Sequence, residues 1–137
     1  MCHRHGYQEF SWELLPIPAS VRAGRDLAEV QLNKWDLSAI AEDVTLIVSE
    51  LLTNATAASS GTITMRLLLD PESLTVEVSD QSPDRPRRRQ AGPDDESGRG
   101  LLIVEALTEA WGHRSSADGA KVVWARCRLP GLLTRSP

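Results

Sequence analysis

At 137 residues and a formal net charge of −4, the chain has the size of one domain. Its acidic balance argues against a nucleic-acid binder that works by charge alone. A hydrophobic fraction of 41% suffices for a core but is too low for a membrane protein, and no apolar run approaches the ~18–20 residues of a spanning helix. Met1 to Tyr7 contain no apolar stretch of the signal-peptide kind, so a cytoplasmic protein is expected. Cys2 and Cys127 form neither a CxxC motif nor a disulfide framework. Cys2, His3 and His5 crowd one terminus but give too few ligands to close a tetrahedral metal site.

In chain order, Phe10, Trp12 and Leu14 alternate with Ser11 and Glu13, the pattern of a half-buried strand ended by Pro16 and Pro18. Ser20 is the predicted N-cap of a helix that carries Ala23, Leu27 and Val30 on one side and runs to about Trp35. Asp36 and Ser38 break it and start the next. That second helix is the strongest periodic signal: Ile40, Val44, Ile47, Leu51, Ala55 and Ala58 recur at steps of three and four. It ends in the turn cluster Ser59, Ser60 and Gly61.

Ile63, Met65, Leu67 and Leu69 alternate with Thr62, Thr64 and Arg66, and Leu74, Val76 and Val78 with Thr75, Glu77 and Ser79. With Asp70-Pro71-Glu72-Ser73 as the turn, they read as an antiparallel hairpin. Residues 82–97 lack periodicity and hold the charge cluster Arg85 to Glu96, as expected of a functional lid. After Gly98-Arg99-Gly100 a helix is predicted, with Leu101, Val104, Thr108 and Trp111 on one side. His113 and Arg114 fit a short strand, Asp118-Gly119 a hairpin turn, and Val123, Ala125, Cys127 and Leu129 a final strand. This order predicts a two-layer α/β sandwich with a mixed, mostly antiparallel sheet and helices on one face. Residues 1–8 and 131–137 read as tails around a domain at 9–130.

Three places could carry chemistry. Glu50 and Asn54 share one edge of the second helix. There a carboxylate can accept a proton and an amide oxygen can ligate Mg²⁺, or both can be plain border residues. Asp80 continues the apolar face of Leu74, Val76 and Val78, so it either needs a donor partner, such as an adenine amino group, or merely ends the strand in a turn. Gly98-Arg99-Gly100 at a helix start permits close approach of phosphate, or is a hinge and cap. No GxxxxGK[ST] loop, HRD or DFG set, GxSxG elbow or HExxH helix is present.

Taken together, Glu50-Leu-Leu-Thr-Asn54-Ala55, Val78-Ser-Asp80-Gln-Ser82-Pro83, Gly98-Arg99-Gly100-Leu101 and Asp118-Gly-Ala-Lys121-Val-Val-Trp124 resemble the N box, the two glycine boxes and the terminal hairpin of the anti-sigma-factor serine kinases. Those proteins are a branch of the histidine-kinase-like ATPases. The resemblance spans about Leu14 to Leu129 and implies a Bergerat-type ATP-binding fold. It implies ATP and Mg²⁺ as cofactors, with Asn54 holding the metal and Glu50 the general base. Asp80 would bind the adenine amino group, and Ser82, Gly98, Arg99, Gly100 and Leu101 would complete the nucleotide site. It further implies an anti-sigma factor that phosphorylates a serine of a STAS-type antagonist. A nucleotide-dependent switch that sequesters a sigma factor without chemistry is the alternative, and a degenerate domain that binds no ATP is a third reading. Family members are commonly homodimers. Three features depart from the family: Ala58 stands where a histidine is common, Val122 where a threonine assists adenine binding, and the first glycine box lacks the glycine of the fuller DxGxG form.

Overall fold

In the computed structural model, residues 7–59, 61–80 and 102–129 are described. Period-two alternation sets the sheet. Strands β1 (Gln8–Leu14), β2 (Ile63–Leu69), β3 (Ser73–Asp80), β4 (Ala110–Ser115) and β5 (Lys121–Arg128) lie in the order β1-β2-β3-β5-β4. Every pairing among the described strands is antiparallel. Ile63, Met65 and Leu67 of β2 lie opposite Asp80, Val78 and Val76 of β3, and all but Asp80 are buried in one core. On the other face of the sheet, Arg66 bridges Glu9 and Glu77, and Arg114 also reaches Glu77.

Helices cover the core face: α1 (Ala19–Lys34), then a 3₁₀ turn at Ser38–Ile40 leading into α2 (Ala41–Ala58), and a short helical run over 102–107. The break before the 3₁₀ turn is at Asp36, whose φ of 65° is left-handed. Glu42 and Asp43 in the first turn of α2 complement its dipole. Val44, Ile47, Val48, Leu51 and Leu52 are its buried face. Ala58, the last member of the predicted stripe, is exposed. None of the helices among the described residues is long and apolar enough to cross a membrane.

Three local expectations are corrected. Helix α1 begins at Ala19, with Pro18 at the cap and no side-chain capping bond, while Ser20 is buried within the first turn. Its inner face is Gly24, Ala28, Gln31 and Leu32, and Ala23 and Val30 are exposed. The helix is rotated this way because Gly24, having no side chain, lets α1 approach Leu52 of α2; a Cβ there would overlap the Leu52 Cδ1 atom. Trp111 lies not on a helix but in β4, paired with Ala125: the run ends at 107, and edge pairing with β5 takes over.

Both hairpin turns form as predicted. Asp70 accepts bonds from the N–H groups of Glu72 and Ser73, each at 2.8 Å. At the β4–β5 turn Gly119 has φ 91°. The Ser116 hydroxyl, and after it the Ala120 N–H, hold the Asp118 carboxyl below its ordinary 3.8. With the folded value depressed, this stabilisation is fully present above the ordinary value and is lost as pH falls through the lower folded one. Asp118→Asn is therefore expected to lower the thermal midpoint slightly at neutral pH and to flatten part of its acid limb, so that variant and wild type converge as pH falls. Cys127 is buried; desolvation, then repulsion from Asp43 and Glu109, pushes its thiol up to about 11, so it stays protonated and unreactive at neutral pH.

Candidate functional site

Of the residues singled out from the sequence, Glu50, Asn54 and Asp80 are described; Ser82, Gly98, Arg99, Gly100, Leu101 and the 82–97 segment lie outside the described residues, as do Cys2, His3 and His5. The site is therefore built from α2 and the end of β3.

Glu50 and Asn54 are both half-buried on α2. At about 100° per residue, each points about 160° away from Leu52, the residue that α2 turns toward Gly24 of α1. Their edge thus faces away from α1. Asp43, two turns before Glu50 on the same edge, borders a hollow of about 270 Å³ that Leu107, Glu109 and Cys127 also line. A carboxylate and an amide one turn apart on an accessible edge can receive a proton and ligate a hard cation.

Asp80 is the last residue of β3. Its cross-strand neighbours are Ile63 of β2 and Lys121 of β5. Since Ile63 is fully buried, the register puts the Asp80 side chain on the helix-covered face, as its alternation with Leu74, Val76 and Val78 predicts. The strand ends beside the C-terminus of α2: Ser59 donates its hydroxyl to Asp80 Oδ1 at 2.7 Å. Asn54 and Glu50 lie about 6 and 12 Å along the axis before Ala58, the last helical residue. The Asp80 carboxylate, which can accept a hydrogen bond from the amino group of a base, therefore lies beside the C-terminal end of α2, and Asn54 and Glu50 precede it along the helix.

Sequence reasoning missed Ser59. Its only signal was membership of the Ser59-Ser60-Gly61 turn cluster, and its partner is 21 residues away. The expected role of position 122 is corrected as well. Val122 lies opposite Ser79, whereas Val78 lies opposite Val123 and Asp80 opposite Lys121. Val122 therefore lies on the face of the sheet away from the helices, and a hydroxyl there would not reach the base held by Asp80. On that far face a hollow of about 580 Å³ runs along Leu68, Glu77, Arg114 and Trp124; none of the candidate residues lines it.

The residues present fit an adenine nucleotide: a fixed carboxylate lies on the core-facing side of the sheet, and an amide and a carboxylate lie along the adjoining helix edge. Among the described residues no cluster of histidine, cysteine and carboxylate side chains forms a self-contained metal site. Asn54 suits a cation that takes most of its ligands from phosphate and water. No curated protein matches the chain. The family model for the histidine kinase-like ATPase domain matches residues 16–127, which include α1, α2, β2, β3 and β4. The chain belongs to the histidine kinase-like ATPase domain family, whose function is ATP binding.

Proposed function

We propose that this protein is an ATP- and Mg²⁺-dependent serine kinase of the anti-sigma-factor type. Its substrate would be a serine hydroxyl of a STAS-type antagonist, and its regulatory target a sigma factor. The observation that carries this reading is the placement of Glu50 and Asn54 on the edge of α2 turned away from α1, in line with Asp80 at the end of that helix. When bound, Mg²⁺·ATP supplies the phosphoryl group and its charge neutralisation. Asn54 would hold the metal through its amide oxygen. Asp80 accepts a hydrogen bond from the base. Glu50 would accept the proton of the attacking serine hydroxyl, whose oxygen would take the phosphoryl group from ATP with ADP as the leaving group.

Ala58 favours a second reading, a nucleotide-dependent switch without transfer, because it puts a methyl group where an imidazole is common in the family. Incubation with γ-labelled ATP, Mg²⁺ and candidate antagonists separates the two. The kinase reading expects label on an antagonist serine. Nucleotide-dependent complexes with no label on any antagonist establish the switch instead. Asn54→Ala is expected to weaken ATP binding in Mg²⁺ by roughly tenfold to a hundredfold, comparable with the loss of a charged hydrogen-bond partner, and to erase most of the difference between Mg²⁺ and chelator. Calorimetry checks this.

A further inference from the structure

Ser59 leaves α2 in an extended conformation (φ −101°, ψ 149°), and its N–H still donates to the Ala55 carbonyl at 2.9 Å. Its side chain is thus anchored at a defined point where the helix stops. The hydroxyl lies 2.7 Å from Asp80 Oδ1 and 3.1 Å from the Gly61 carbonyl, and it accepts the Gly61 N–H at 3.1 Å. A hydroxyl has one proton, and the shorter, charge-assisted bond to the carboxylate takes it. This bond ties the end of β3 to the end of α2 and fixes the rotation of the Asp80 carboxylate.

We propose that Ser59 is a positioning residue that makes the base site selective for an amino group. The inference rests on the ATP reading above. A carboxylate only accepts hydrogen bonds, and Ser59, with its proton committed to Asp80, has none to donate elsewhere. The pair therefore complements the exocyclic amine of adenine and opposes a carbonyl oxygen at the same place, as in hypoxanthine. A site built to pair with one group rejects the analogue that leaves polar atoms unmatched. Without the Ser59 hydroxyl the carboxylate loses this anchor at Oδ1, and the discrimination weakens.

The test is calorimetric titration of the full chain with ATP and with inosine triphosphate in Mg²⁺, for wild type, Ser59→Ala, Ser59→Thr and Ser59→Val. The expected result is that wild type prefers ATP and Ser59→Thr keeps the preference. Ser59→Ala and the Thr-shaped Ser59→Val lose it by roughly five- to tenfold, about one hydrogen bond. The Thr/Val pair separates the hydroxyl from packing, since the two have the same shape. An unchanged ATP-to-inosine ratio in Ser59→Val overturns the role of Ser59 and leaves ATP binding standing. Wild type that binds both nucleotides alike does the same. Wild type that binds neither overturns the ATP reading itself.

Discussion

Glu50→Gln is expected to lower phosphoryl transfer by roughly 10²–10⁴-fold, the range supplied by a positioned general base, and to leave ATP affinity within about threefold of wild type. The amide keeps the size and hydrogen-bonding reach of the side chain but cannot take a proton. Glu50 is half-buried on the α2 edge, one turn from Asn54 and far along the helix from the Ser59–Asp80 bond, so its substitution leaves Asn54 and Asp80 in place. Single-turnover transfer from labelled ATP to the antagonist measures the first quantity, and calorimetry the second. Transfer within threefold of wild type would remove Glu50 from the mechanism. Loss of both transfer and binding would make it a binding residue.

Leu52→Ala is expected to cost about 2–5 kcal/mol of folding stability, the usual range for emptying a buried leucine site. Leu52 is fully buried between α2 and α1, against Gly24. Gly24→Ala alone sets two effects against each other. Helix propensity gains about 1 kcal/mol, while the new methyl group overlaps Leu52 in a packed interior, which costs about 1–3 kcal/mol; the net change runs from near zero to about 2 kcal/mol destabilising. In the double variant the methyl occupies space vacated by leucine. Its loss should then fall short of the sum of the two single losses by about 0.5–3 kcal/mol, the coupling expected of residues in contact. Urea unfolding at equilibrium, with midpoint and slope both fitted, reads this directly. Additive losses would show that Gly24 does not set the α1–α2 approach. Because α2 carries Glu50 and Asn54 and ends at Ser59, the same interface seats the candidate site.

Strand periodicity, the two hairpin turns and the stripe of α2 were legible in the sequence, because each depends on neighbours a few residues apart. The facing of Asp80 toward the core was legible for the same reason. Even the misplacement of Val122 was visible in principle: Val123, Ala125 and Cys127 already claim the inner face of β5, which leaves Val122 on the other. Order and spacing of the boxes identified the family over most of the chain.

The orientation of α1 was not legible. Its closest contact is made by a glycine, which carries no apolar signal, so the periodic reading settled on Ala23 and Val30 and turned the helix the wrong way. Trp111 was ambiguous because Ala-Trp-Gly-His-Arg-Ser has no strong local preference; pairing with the edge of β5 decided it. Sequence by itself determined most of the elements and the family, and it named Glu50, Asn54 and Asp80 as candidates for chemistry. Only the tertiary structure brought Ser59 to Asp80, because a hydrogen bond between the end of a helix and the end of a strand depends on how the two layers pack, and no local pattern encodes that.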